Sequence, residues 1–200
     1  QSCLAPEPPL IVIAAGGAGS RIGGDKPGRL LGQVRLIDRA CDWARRHSDT
    51  VALSVRPGDG DWGTGLPLLF DATNGIGPIS ALHSAVQEGA RQGRAAGLVG
   101  GCALPSPPAD LVPRLTAALP GHGVAMPASG GRLHPMAALW RSAPEPLERW
   151  IAGGGQSLWR FAEPVGMAKV EWDETPDPFA NVNDAAALAA AQERIRTAGR

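Results

Sequence analysis

Residues 9–27 read PLIVIAAGGAGSRIGGDKP. The first six are apolar and partly β-branched and run straight into glycine, the pattern of a strand buried on both faces of a parallel sheet. Positions 16–24 then hold five glycines in nine residues. Such a loop turns tightly and aims several backbone N–H groups at an anion, and a following helix would add its positive end. Phosphate is the natural guest, with Arg21 and Lys26 as nearby cations. A plain surface turn is the alternative, but a turn needs neither so many glycines nor the two cations. The spacing fits neither of two familiar phosphate loops. A GxGxxG counted from Gly17 would need glycine where Ile22 stands, and a P-loop counted from Gly19 would need lysine where Asp25 stands.

The pattern beyond this stretch alternates. Leu36, Ile37, Ala40 and Ala44 recur at helical spacing, and Val51, Leu53 and Val55 alternate as in a strand before Pro57-Gly58-Asp59-Gly60 breaks the chain. Strands over 66–70 and 95–99 alternate with helices over 79–88 and 108–119, the last with proline in its first turn. This order predicts an α/β fold, a three-layer Rossmann-like, mainly parallel sheet with helices on both faces and right-handed crossovers. Further on, the spacing predicts short strands over 122–126 and 133–140, a helix over 144–152, and a half-buried strand over 167–172. In that last strand Met167, Lys169 and Glu171 share one face and Ala168, Val170 and Trp172 the other. A final helix starts near Asp184, a candidate N-cap, with Leu188, Ala191 and Ile195 on one face. No linker divides the chain, so residues 1–200 read as a single domain.

Composition narrows the function. The 27 glycines and 19 prolines make 46 of 200 residues, yet apolar residues hold 44%, so the chain is folded but heavily punctuated. Nineteen cationic residues balance 19 anionic ones, which leaves no basic excess for nucleic acid or an anionic membrane. No apolar run reaches transmembrane length and no signal-peptide pattern opens the sequence, so a cytoplasmic location is expected. Cys3, Cys41 and Cys102 form no CxxC pair and read as buried thiols. Only Lys26 and Lys169 of the 19 cations are lysines, and one of them falls in the glycine-rich stretch.

Four ordered segments resemble a known family over roughly residues 9–195. Residues 14–26, AAGGAGSRIGGDK, are similar to the LAGGxSxRMGxDK loop of the sugar-nucleotide-like nucleotidyltransferases, specifically the molybdenum cofactor guanylyltransferases, with Gly19 and Ser20 exchanged and Ile22 replacing methionine. DATNGIGPISAL from Asp71 resembles the family's D…GPLAGI. His134-Pro135 to Leu139-Trp140 resembles xPLxALY, and DPFANVN over 177–183 resembles the start of DxFxNxNTPEDL.

The resemblance implies the nucleotide-diphospho-sugar transferase type of fold and transfer of GMP from GTP to molybdopterin, with magnesium bridging the phosphates and pyrophosphate leaving. It implies catalytic roles for Arg21 and Lys26, and a nucleotide site at Ala14, Ala15, Gly16, Gly17, Gly19, Ser20, Lys26 and Asp71. Asn181 and Asn183 fall on the acceptor and phosphate side, where period-2 spacing turns both carboxamides to one face, helix capping being the alternative for Asn183.

The resemblance breaks at one chemically important place. The family's magnesium aspartate lies in a CDxP motif after the fourth strand; here residues 102–105 read CALP and Ala103 stands in its position. Alanine cannot bind a metal; Asp71 is then the candidate ligand, the alternative being a metal that rides on the triphosphate with few protein contacts. The NTPED acids are also replaced, by Asp184-Ala185-Ala186-Ala187. Two other expectations therefore stand beside the guanylyltransferase: a catalytically impaired nucleotide- or cofactor-binding paralogue, and a CTP-using relative.

Overall fold

In the computed structural model the predicted first strand is β1 (Leu10–Ala14), paired in parallel with β4 (Val51–Val55) on one side and β6 (Ala96–Gly101) on the other. The structure describes residues 7–16, 26–71, 77–104 and 106–198. Leu10 and Val12 point into one apolar cluster and Ile11 and Ile13 into another, which is why the strand carries no polar face. The Ile11 side is covered by α1 (Leu36–His47), α3 (Leu111–Ala118) and α6 (Ala185–Ala198). The Leu10 side is covered by α2 (Pro78–Arg91), α4 (Pro144–Ala152) and α5 (Leu158–Val165). The three layers predicted from alternation are present.

With β5 (Leu68–Phe70), β7 (Val124–Ser129), β9 (Leu139–Arg141) and β10 (Met167–Trp172), the strand order is β10-β7-β9-β6-β1-β4-β5. All neighbours are parallel except β9, which runs antiparallel between β6 and β7. The half with β1, β4, β5 and β6 therefore sends four consecutive carboxyl ends to one edge.

Several boundaries differ from expectation for local reasons. The helix expected over 108–119 begins at Leu111, because residues 108–111 form a turn in which the Leu111 N–H donates to the Pro108 carbonyl at 3.1 Å; Pro113 is the proline in the first turn. The single strand expected over 133–140 is three pieces. β8 (Arg132–Leu133) folds back on β7 through Gly130 and Gly131, both at positive φ, a 3-10 turn spans Pro135–Ala137, and β9 follows. Helix α5 and the hairpin of β2 (Leu30–Leu31) and β3 (Val34–Arg35) are additional. The 167–172 alternation holds: Trp172 is buried, while Lys169 and Glu171 pair across the outer face at 2.7 Å. Asp184 caps α6 as expected, accepting from the Ala187 N–H at 2.8 Å. Of the predicted α6 face, Ala191 is buried and Leu188 packs on the core, whereas Ile195 is exposed beside the β2–β3 turn.

Candidate functional site

The carboxyl ends of β1, β4, β5 and β6 open into a cleft of about 830 Å³, where ligands of open α/β sheets collect. β1 supplies Ala14, Ala15 and Gly16; β4 supplies Ser54 and Arg56; Asp71 follows β5; Gly101, Cys102 and Ala103 follow β6. Gly77, Pro78, Ser80 and Ala81 bring the N-terminal turn of α2, and Lys26 and Asn183 line the same space. The start of this 14-residue helix presents backbone N–H groups and the positive end of its dipole.

Three contacts fix the first wall. The Ala15 N–H donates to the Ser54 carbonyl at 2.9 Å, and the Asp71 N–H to the Val55 carbonyl at 3.1 Å, so the strand ends stay in register past the sheet. The Ser54 hydroxyl donates to Asp71 Oδ1 at 2.7 Å. A Cβ at Gly16 would lie 3.2 Å from Arg56 Cγ, 3.3 Å from its backbone nitrogen and 3.7 Å from Asp71 Oδ2. Glycine is thus what lets β1, Arg56 and Asp71 approach one point. Arg56 binds Asp59 only through its backbone, its N–H donating to Asp59 Oδ2 at 3.2 Å; among the described residues its guanidinium has no hydrogen bond or ion pair.

The opposite wall is a strap from the C-terminal region. Lys26 Nζ donates to Asn183 Oδ1 at 3.0 Å across 157 residues of sequence, and the Val182 N–H donates to the Ala103 carbonyl at 2.7 Å. Val182 is buried between exposed Asn181 and Asn183, the alternation expected. Phe179 anchors the strap: it is 2% exposed, stacks on His134 at 4.6 Å between ring centres, and meets Trp172 edge-on at 5.2 Å. His134 Nε2 is in turn in hydrogen-bond contact with Ser129 Oγ at 2.7 Å. Burial lowers the His134 pKa, against the opposing pull of Asp177 and with Arg132 adding to the lowering. Burial also pushes the Cys102 thiol up to about 12 and Cys41 up to about 11, so neither is a nucleophile at neutral pH and both are the buried thiols expected.

Of the residues singled out in the sequence, Ala14, Ala15, Gly16, Lys26, Asp71 and Asn183 come together in this cleft. Asn181 is exposed and is not among its lining residues. Gly17, Gly19, Ser20 and Arg21 lie outside the described residues, as does Cys3. Gly77, Pro78, Ser80 and Ala81 of the DATNGIGPISAL segment and Met136 of the 134–140 segment also line the cleft, whereas Ser54 and Arg56 line it without belonging to any of the four motifs. For Ser54 and Arg56 the available signal was their place at the carboxyl end of an alternating strand.

The described residues offer a divalent cation little to hold it. Among the described residues no group of three or more His, Cys, Asp or Glu side chains converges, and Asp71 is the one carboxylate of the lining. Ala103 offers the end of β6 a methyl group, and its carbonyl already accepts from Val182. The residues present do not fit a protein-held ion at the end of β6.

The chain matches the family model described as MobA-like NTP transferase domain over residues 11–170. It is 37% identical over 188 residues to a molybdenum cofactor guanylyltransferase of Rhodobacter capsulatus, covering 92% of this chain and 95% of that one. To the protein of the same name from Acidiphilium cryptum it is 36% identical, covering 90% and 92%. Among solved structures it resembles molybdopterin-guanine dinucleotide biosynthesis protein A from Archaeoglobus fulgidus, with a TM-score of 0.76 at 19% identity over 94% of this chain and 99% of that one. It also resembles 2-C-methyl-D-erythritol 4-phosphate cytidylyltransferase from Thermus thermophilus, with a TM-score of 0.68 at 19% identity over 95% and 99%.

Proposed function

This chain belongs to the MobA-like NTP transferase domain family, and from that premise we propose that it transfers GMP from GTP to molybdopterin, releasing pyrophosphate. It is a nucleotidyltransferase by family; the identity of nucleotide and acceptor is our reading, carried over from its named relatives. In the reaction an acceptor phosphate oxygen attacks the α-phosphorus of GTP, a new P–O bond forms, and the bond to the β-phosphate bridging oxygen breaks. Positioning and charge stabilisation supply most of the rate.

The chain's own residues divide that work. Ala14, Ala15 and Gly16 bring backbone against the nucleotide, and the resemblance assigns Gly17, Gly19 and Ser20 to the same nucleotide. Lys26, a compact point charge, and Arg21, a planar fork, balance the charge growing on the leaving pyrophosphate. Asp71, oriented by Ser54, accepts from nucleotide donors, and Asn183 orients the acceptor phosphate without adding charge; Asn181, off the cleft lining, has no role in this reading. The single observation that carries this reading is the Lys26–Asn183 bond at 3.0 Å. It places a rare lysine and the strap at one cleft together with the ends of β1, β4 and β6.

NTP transferases generally work with a divalent cation, and magnesium is the ion we assign to the reaction. The end of β6 offers that ion no ligand, so the chain's own part in the reaction is carried by the residues above. Ala103 favours a second reading, a chain that binds nucleotide and turns over slowly or not at all. Among the described residues no helix is long and apolar enough to cross a membrane, and we place the enzyme in the cytoplasm.

Pyrophosphate release measured with molybdopterin, magnesium and each of the four ribonucleoside triphosphates tests the proposal. Release with GTP above the others is expected. Preference for CTP would move the chain to the cytidylyl-transferring relatives, and binding without release would support the second reading.

A further inference from the structure

A nucleoside triphosphate would bring several negative charges into a cleft whose described lining includes one carboxylate, Asp71, and no cluster able to hold a metal ion. The same lining contains a cation that has no side-chain partner among the described residues. Arg56 stands exposed at the carboxyl end of β4, and its guanidinium has no hydrogen bond or ion pair among the described residues. Its stem passes over Gly16, where an added Cβ would meet Arg56 Cγ at 3.2 Å. The same point lies 3.7 Å from Asp71 Oδ2, yet no ion pair forms and Asp71 is held by Ser54 instead. The chain thus keeps an acid and a base on one wall without letting them neutralise each other. Gly16 also opens the glycine-rich stretch, so Arg56 lies where that stretch leaves the sheet. A free guanidinium with two parallel donors is suited to phosphate oxygens.

We propose that Arg56 binds the triphosphate and supplies part of the positive charge that a protein-held ion would otherwise bring, so that this chain binds nucleoside triphosphate with little dependence on magnesium. The inference rests on the nucleotide-transfer reading above and adds to it a residue and a metal dependence. Arg56 is a binding residue here, and the methyl group of Ala103 is the reason the charge must come from elsewhere.

Calorimetric titration of the full chain with GTP, once in excess magnesium and once in EDTA, tests it without any turnover. Wild-type affinities in the two buffers should agree within about threefold. Arg56→Gln should weaken metal-free binding by about tenfold or more, the scale of a lost charge-assisted hydrogen bond, and Arg56→Lys should recover part of it. Ala103→Asp should make binding metal-dependent, about tenfold tighter with magnesium than without. Arg56 is exposed, so its variants should melt as the wild type does. Wild-type binding seen only with magnesium, or Arg56→Gln binding as tightly as wild type in EDTA, overturns this inference alone. No binding of any of the four ribonucleoside triphosphates in either buffer overturns it together with the reading beneath it.

Discussion

The ends of β5 and β6 reach the same cleft from opposite sides of β1 and β4, and they are built in opposite ways. After β5 the chain places a carboxylate, Asp71, and fixes it with a hydroxyl from the neighbouring strand at 2.7 Å. After β6 it places Ala103, whose methyl group has no ligand to offer and whose carbonyl is taken by the Val182 N–H at 2.7 Å. One end is a polar, oriented contact for a guest; the other is a docking point for the chain's own strap. The strap in turn brings Asn183 to Lys26. Charge in this cleft is therefore supplied by cations on flexible stems, with the strap holding one of them.

The largest effect that would test this division is the loss of the strapped cation. Lys26→Met should reduce pyrophosphate release by about 10²–10³-fold, the scale of removing one stabilising donor from a transition state, with melting behaviour close to wild type. Asp71→Asn removes charge from the β5 end while keeping its shape, and should weaken GTP binding in calorimetry by about tenfold or more. If instead Asp71→Asn is silent and Lys26→Met is silent, the two ends do not serve one guest. Ser54→Ala and Asn183→Ala sharpen the contrast further, since each removes a side chain that holds another. Each should cost about three- to tenfold, Ser54→Ala chiefly in nucleotide affinity and Asn183→Ala chiefly in turnover at saturating nucleotide.

The smallest effect concerns the foot of the strap. Burial lowers the His134 pKa below its ordinary value of 6.5, so the unfolded chain takes up a proton more readily than the folded one. The stability contribution is full above about pH 6.5 and is lost as the pH falls through that value towards the folded pKa. Thermal melts from pH 7.5 downwards should show this decline, and His134→Gln should flatten it. An equal decline in the variant would assign the slope to other groups.

Much of this arrangement is legible in sequence because it follows from period and punctuation. β1 is readable since both its faces are buried, and α4 falls over 144–152 as spaced, because proline starts it and glycines end it. The hairpin around Gly32 and the break at Pro135 escape the same reading, since their strands are two or three residues long and carry no period. Helix α5 escapes the sequence pattern although Ser157 caps it, its hydroxyl accepting from the Arg160 N–H at 3.4 Å, because three glycines just before it look like a loop. In the site, Lys26, Asp71 and Asn183 could be named from residue type and motif. Ser54 and Arg56 could not, because a serine and an arginine at the end of a strand acquire meaning only when β1 and β5 come to lie on either side of them. Nor does sequence spacing reveal that Lys26 and Asn183 touch; 157 residues separate them, and the strap brings them together.

Transfer of label from α-³²P-GTP to molybdopterin, followed by the mass of the acceptor, tests the central claim most directly. The account predicts an acceptor carrying one GMP, formed at a rate that falls sharply in Lys26→Met. Tight GTP binding by a folded sample, with molybdopterin present and no labelled acceptor at any magnesium concentration, would contradict it.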